Sequence, residues 1–313
     1  MDPKTILVTG GAGFIGSHIV DRYVEMGHRV VIVDDLSTGK LQYVNKAARF
    51  YHLSIGDAAV EEVFQRERPQ VVNHHAAQAS VSVSVQRPVH DAEVNVLGTL
   101  HLIECAHRYG VEKFIFASTG GAIYGEPQHL PCEEDDPAQP LSPYGLSKHC
   151  GELYLDLYRR LYGLRSTVLR YGNVYGPRQD PHGEAGVIAI FAQQMISGKQ
   201  PTIFGDGDQE RDFVYVGDVV EANALALDRG AGRVYNIGTG KPTSVNRIFQ
   251  LLKGIIQYPW RPAYAPPRPG EVYRIYLDPS RARRELGWEP RVELEEGLRL
   301  TVEHMAQALK PSA

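Results

Sequence analysis

The chain has 313 residues, enough for one large domain or two coupled ones around a sizeable core. Its 33 basic and 37 acidic residues leave a formal charge of −4, which excludes a polybasic nucleic-acid arm and bulk polyanion binding. Three cysteines, Cys105, Cys132 and Cys150, are too scattered for a disulfide framework, and the longest apolar runs are strand-sized, far short of the roughly 20 residues that cross a bilayer. A soluble cytoplasmic protein with no membrane partner is expected, since the opening MDPKTILVTGG runs straight into a strand and a glycine loop without a signal-peptide pattern.

From residue 4 to about 170, short β-branched runs alternate with longer amphipathic segments, the rhythm of βαβ units that cover both faces of a parallel sheet. Strands are expected at 4–9, 29–34, 50–54, 70–74, 112–118 and 165–170, with helices at 14–26, 57–68, 88–108 and 143–162 and a weaker segment after Gly39. The pattern predicts a doubly wound, Rossmann-like α/β domain over 1–176. Beyond Pro177, loops near 177–186, 205–211 and 259–271 separate a helix at 187–197 from shorter pieces, the texture of a smaller α/β substrate domain. Residues 213–237 again read strand, helix, strand. The first domain is therefore expected to be rejoined by 213–240, leaving 177–212 and 241–313 as a discontinuous second domain.

Residues 9–16 read TGGAGFIG, between the strand TILV and the helical SHIVDRYVEMG. Gly10 and Gly13 let the backbone turn tightly and approach a pyrophosphate, while Gly16 lets the helix sit close on the sheet. The helix start then faces the anion, which makes Gly10, Gly13, Phe14, Ile15 and Gly16 the candidate dinucleotide cradle. The second strand ends in Asp34, at the distance expected of an acid that bonds the adenine ribose hydroxyls. A carboxylate there repels a 2′-phosphate and favours NAD over NADP. Asp35 is placed to share the task, and Asp57, after the third strand, is either an adenine contact or a helix cap.

Tyr144 and Lys148 lie one helical turn apart in SPYGLSK and share a face. A tyrosine ordinarily loses its proton near about pH 10, but a neighbouring ammonium and an oxidised nicotinamide both favour the phenolate, so Tyr144 is the candidate general base. The fifth strand, KFIFASTGG, ends in two hydroxyls at the same edge of the sheet. Thr119 is the first choice for a proton relay to a bound sugar or alcohol and Ser118 the second; the alternative for either is a hydroxyl that bonds backbone at the strand edge.

With TGGAGFIG, Asp34, NHHAAQAS at 73–80, STGG at 118–121, YGLSK at 144–148 and RYGNVYGP at 170–177 in one order, the chain resembles extended short-chain dehydrogenase/reductases, and among them most the UDP-glucose 4-epimerases. The likeness continues through GDGDQERDFVYVGD at 205–218, RPGE at 268–271 and LGWEPRVELEEGL at 286–298. It implies bound NAD, Tyr144 as the base, Lys148 on the nicotinamide ribose, and a UDP-sugar held by the smaller domain. By motif match it implies Asn173 near the sugar-phosphate region, Phe204 at the uracil, Arg211 and Arg268 on the diphosphate, and Glu271 at the nucleotide ribose. The planar donor forks of the two arginines suit phosphate oxygens.

The reaction so implied takes hydrogen from the sugar C4 and returns it to the other face, through a transient 4-keto sugar and without net redox. Ile275 falls where relatives place a residue beside the sugar 2-substituent; its modest size is expected to admit N-acetylated UDP-hexosamines, unless it packs in the core. Two departures stand out. Gly120 and Gly121 occupy the place of the Asp-Glu pair with which related 4,6-dehydratases expel water, and one extra residue separates Thr119 from Tyr124. Chemistry on another nucleotide sugar, such as a UDP-uronate or UDP-pentose, is the rival reading. A silent NAD sensor or scaffold is a further one, although sensing needs no proton relay.

No metal is expected, because His74, His75 and His149 form no ligand pattern with cysteine or one another. Farther along the helix of Tyr144, Tyr154, Tyr158 and Tyr162 recur at four-residue steps, a stripe that with the apolar side of 88–108 is expected to bury a homodimer interface.

Overall fold

The computed structural model describes residues 2–182, 186–267 and 272–309. In chain order, the first part forms β1 (Thr5–Thr9), α1 (Phe14–Glu25), β2 (Arg29–Asp34), β3 (Arg49–His52), α2 (Ala59–Glu67), β4 (Val71–His74), α3 (Val81–Gln86), α4 (Pro88–Ala92), α5 (Gly98–Arg108), β5 (Lys113–Thr119), α6 (Gly120–Ile123), α7 (Pro143–Tyr162) and β6 (Ser166–Tyr171). The remainder forms β7 (Asn173–Tyr175), α8 (Val187–Ile196), β8 (Thr202–Phe204), β9 (Glu210–Tyr215), α9 (Val216–Ala226), β10 (Arg233–Ile237), β11 (Pro242–Ser244), α10 (Val245–Ile256), β12 (Ala263–Ala265) and α11 (Leu294–Ala308).

Side chains alternate across each strand, so every strand of the first domain feeds two cores. Ile6 and Val8 of β1, with Val30 and Ile32 of β2, pack under α1 and α9; Leu7, Val31 and Val33 pack under α2, α5 and α7. Seven strands form one parallel sheet in the order β10-β6-β5-β4-β1-β2-β3. The order reverses between β1 and β4. Crossovers leave these two strands in opposite directions and open a crevice at their carboxyl ends. Among the described residues, no helix is long and apolar enough to cross a membrane, and no group of three His, Cys, Asp or Glu side chains is placed to hold a metal ion.

Two expectations change. The helix expected over 88–108 is three pieces: Pro88 opens the short α4, residues Glu93–Leu97 form a π-helical stretch, and α5 follows. Pro88 lacks the amide for the preceding turn, and the widened stretch turns Asn95 inward, where its amide bonds Gln78, Asp91 and Ser147. The second change concerns the return to the first domain. β9 does not join the large sheet from residue 213, but lies between β7 and β11 in a three-stranded sheet. α9 and β10 pack with the large sheet, together with Val214 of β9 and with Ala282, Leu286 and Trp288 from the carboxyl-terminal segment, whose apolar surfaces complete the core beneath α1 and α9. The smaller core is built mainly from α8, α10 and α11.

Candidate active site

The glycine loop leaves β1 where no side chain fits. Gly10 adopts φ +70°, and a Cβ there would stand 2.7 Å from the amide nitrogen of Ala76; at Gly16 it would stand 2.1 Å from the carbonyl oxygen of Gly10. Gly13 caps α1 without a side-chain bond, and the first helical hydrogen bond is donated by the Ser17 amide to Gly13. The amides of Phe14, Ile15 and Gly16 therefore precede the helical ladder and point, with the positive end of the dipole, toward the crevice.

Asp34 closes the cradle from β2. It is 6% exposed, with one oxygen accepting from the Ala12 amide at 2.9 Å and the other from Leu36 at 2.9 Å. Burial raises its pKa and the two amides oppose the rise, while each oxygen keeps a lone pair for a ribose hydroxyl. Asp35 instead binds its own turn, accepting from the Ser37 amide at 2.9 Å and hydroxyl at 2.6 Å. Asp57 is exposed and accepts from the Ser54 amide at 2.8 Å; the N-cap of α2 is Ala58, with no side-chain cap, so the carboxylate closes a turn and does not cap the helix. A side-chain-free loop, an uncapped helix start and a buried diol acceptor together fit a dinucleotide with a free 2′-hydroxyl.

α7 begins with Ser142, whose hydroxyl accepts from Gly145 at 3.2 Å, continues with Pro143 in the first turn and ends at the left-handed Gly163. Gly145 allows the close approach: a Cβ there would lie 2.5 Å from the Ala122 carbonyl, just beyond β5. This contact brings the partly buried Tyr144 against the end of β5, where its phenol faces the Thr119 side chain. Burial pushes the phenol up to about 12 and Asp91 adds to the rise, while the Thr119 hydroxyl opposes it. Lys148 is 4% exposed and donates to the Ala117 carbonyl at 3.0 Å, 5.0 Å from the Phe116 ring centroid. Burial brings its ammonium down to about 8, with Asp91 and Glu152 holding it up.

One donor of three is spent on Ala117, so the ammonium retains donors for a ligand diol. Ser118 faces elsewhere, its hydroxyl donating to Glu152 at 2.5 Å. The two candidate relay hydroxyls thus have different partners. Thr119 meets the phenol, and Ser118 meets a buried carboxylate.

At the substrate end, an added Cβ on Gly121 would lie 3.6 Å from the Asn173 side-chain oxygen and 4.0 Å from the Thr119 hydroxyl, so these two groups border one space. A Cβ on Gly120 would press on Leu277 at 2.5 Å. Arg211 lies on β9 and donates to the carbonyls of Glu210 at 2.9 Å and Tyr273 at 3.2 Å. Phe204 ends β8. Arg268 and Glu271 lie outside the described residues. Ile275 is 1% exposed and packs with Ile123, Tyr124, Cys132 and Leu277, in a closed apolar cluster rather than on an open pocket wall.

Three polar residues around the pair escaped the sequence reading: Glu152, Asp91 and Asn95. Asp91 is 1% exposed and accepts from Gln78 at 2.9 Å and Asn95 at 3.0 Å. The signal was present in the spacing, since Glu152 follows Lys148 by one helical turn and Asn95 follows Asp91 by four residues.

A glycine-cradled dinucleotide crevice with a Thr-Tyr-Lys cluster at the edge of a seven-stranded parallel sheet defines a nucleotide-dependent enzyme of the short-chain type. The chain belongs to the NAD dependent epimerase/dehydratase family, whose model matches residues 6–238. It is 52% identical over 300 residues to a putative UDP-glucose 4-epimerase of Methanocaldococcus jannaschii, spanning 96% of this chain and 98% of that one. Among solved structures, it is similar to a Thermotoga maritima UDP-glucose 4-epimerase with UDP-glucose, at TM-score 0.97 and 54% identity over 98% of this chain and 100% of that one. A Thermus thermophilus UDP-glucose 4-epimerase in complex with NAD matches at TM-score 0.93 and 49% identity, over 97% and 100% of the two chains.

Proposed function

We propose that the protein interconverts UDP-glucose and UDP-galactose with tightly held NAD. The observation that carries this reading is the placing of the Tyr144 phenol beside the Thr119 hydroxyl at the mouth of the cradle, with the buried Lys148 ammonium one helical turn away. NAD, when bound, supplies a reversible hydride acceptor for the sugar C4, so that a 4-keto sugar forms and is reduced again from its other face. Gly10, Gly13, Phe14, Ile15 and Gly16 hold the diphosphate, Asp34 the adenine ribose, and Lys148 the second ribose.

Tyr144 takes the proton of the 4-hydroxyl, directly or through Thr119, and gives it back after the sugar has turned. The phenol rests protonated, because burial outweighs the stabilisation of its anion. Positive charge entering the crevice lowers that barrier, so the base becomes active when the site is filled. Arg211 and Arg268 anchor the diphosphate while the sugar stays free to rotate, and Asn173 steadies the sugar-phosphate end. Elimination of water from the sugar has no acid or base at Gly120 or Gly121.

Two further assignments support the same setting. Leu146, Leu153, Leu161 and Tyr162 leave α7 with exposed apolar side chains beside Val85, Val89 and Leu97, which suits a homodimer. The cysteines are free thiols, as a cytoplasmic protein requires. The test is incubation of purified protein with UDP-glucose, followed by analysis of the sugars and of absorbance at the reduced-nicotinamide band. UDP-galactose should appear without net NADH, from protein that carries NAD through purification. Accumulating NADH, or no galactose with NAD bound, would overturn the reading.

A further inference from the structure

Tyr144, Lys148 and Glu152 follow one another at four-residue steps on α7, so a carboxylate continues the stripe that carries the phenol and the ammonium. Glu152 is 7% exposed. It accepts from Arg170 Nε at 2.9 Å and Nη2 at 2.6 Å, from the Ser118 hydroxyl at 2.5 Å, and lies 3.6 Å from His149 Nδ1. Arg170 is anchored independently, donating to the Tyr124 hydroxyl at 2.9 Å and the Glu134 carbonyl at 3.1 Å. A buried ion pair is costly to desolvate and weak as a source of stability, so its geometry is the informative part.

That geometry addresses a gap in the sheet. The ladder between β4 and β5 ends at Phe116, whereas the ladder between β5 and β6 runs on to Thr119, with Ser118 opposite Arg170. The last residues of β5 are therefore paired on one side only, and the Ser118 hydroxyl supplies a second tether at that end. Building on the reaction proposed above, we propose that Glu152 is a positioning residue: clamped by Arg170, it fixes Ser118 so that the next hydroxyl, Thr119, is presented to the Tyr144 phenol. Ser118 is by the same geometry a tether and not a relay. Glu152 also acts on charge. The Lys148 ammonium faces Asp91 from α4 and Glu152 from its own helix, against His74 at the end of β4 and His75 just after it, both of which burial keeps neutral.

The experiment compares turnover of UDP-glucose by the NAD-loaded protein as Glu152→Gln, Ser118→Ala and the double variant, with Thr119→Ala and Tyr144→Phe alongside. Glu152→Gln should lower kcat by about tenfold to a hundredfold, the cost of a relay displaced by part of an ångström, with KM changed by less than about threefold. Ser118→Ala should cost about tenfold and less than Thr119→Ala, and the double variant should be within about twofold of Glu152→Gln. The alkaline limb of the kcat profile should move to lower pH in Glu152→Gln and stay in place in Ser118→Ala, because only the former removes a charge that keeps Lys148 protonated.

Wild-type kcat in Glu152→Gln, losses that multiply in the double variant, or Ser118→Ala as damaging as Thr119→Ala would each overturn the proposal. Full activity in Tyr144→Phe would overturn the underlying reaction instead, so the two failures are distinguishable. Should Glu152→Gln not fold, Glu152→Asp keeps the charge and the Arg170 partner but is shorter by one methylene. It should lower kcat at constant KM with the alkaline limb unmoved, and unaltered kcat there would again sink the idea.

Discussion

Thr119 ends a seven-residue strand that is buried along its whole length and paired on both sides over Phe114–Phe116, whereas Asn173 and Phe204 stand on strands of three residues. The proton-handling groups thus sit at the end of a buried strand of the large sheet and on the helix packed against it, and the groups assigned to the nucleotide sugar on short strands and loops. The two regions are joined by struts rather than by a continuous sheet. Asp212 on β9 is one: it accepts from Thr239 at 2.7 Å and 2.6 Å, from Gly240 at 3.0 Å and from Leu277 at 3.1 Å. The difference teaches that reaction geometry and substrate grip are built to vary independently, and substitutions on either side can break that separation.

The largest effect belongs to Tyr144→Phe, which removes one hydroxyl from the proton-handling region. It should lower kcat by about 10²- to 10⁴-fold, with KM and NAD content close to wild type. Steady-state conversion of UDP-glucose and the nicotinamide released on denaturation measure the two; retained turnover would mean that the base lies elsewhere. Next comes Asp212→Ala, which leaves four donors without their acceptor and should cost about 3 kcal/mol of stability in urea unfolding. A cost under about 1 kcal/mol would show that the strut is replaceable by water.

Asp34→Ala should act on the cofactor. The variant strands the Ala12 and Leu36 amides and removes the ribose acceptor, so NAD retention should fall by about tenfold to a hundredfold, or roughly 1.4–2.8 kcal/mol, while kcat at saturating NAD falls less. Equilibrium dialysis with NAD separates these effects. An equal fall in both would place Asp34 in the chemistry and blur the contrast between the two regions.

The region of the large parallel sheet was the more legible one, for a physical reason. Local signals end its elements: Asp34 closes β2 at the residue expected, and Ser142 with Gly163 brackets α7 over the expected 143–162. Parallel strands buried on both faces announce themselves as β-branched runs. β9 carried the same pattern but a different destination, because alternation tells that a segment is a strand and not which sheet receives it. Asp91, Asn95 and Glu152 carried only a spacing signal, too common to mark a site by itself, since their role depends on what three separate elements bring within hydrogen-bond reach. Tyr144 and Thr119 were singled out from spacing and position, with Thr119 already preferred to Ser118, and the structure adds a different partner for each hydroxyl.

Ile275 gives the smallest expected effect and the sharpest use of the comparison. If it lined the sugar pocket, trimming it would enlarge the space beside the 2-substituent and change the ratio of turnover between UDP-galactose and UDP-N-acetylgalactosamine. Its 1% exposure and its contacts with Ile123, Tyr124, Cys132 and Leu277 place it instead between the regions, in a cluster that supports the turn after β5. Ile275→Val should therefore cost about 1 kcal/mol of stability, the price of one buried methylene, and leave that ratio unchanged. A shift in the ratio beyond about threefold at unchanged stability would put the side chain back against the sugar, because packing loss alone lowers both activities together.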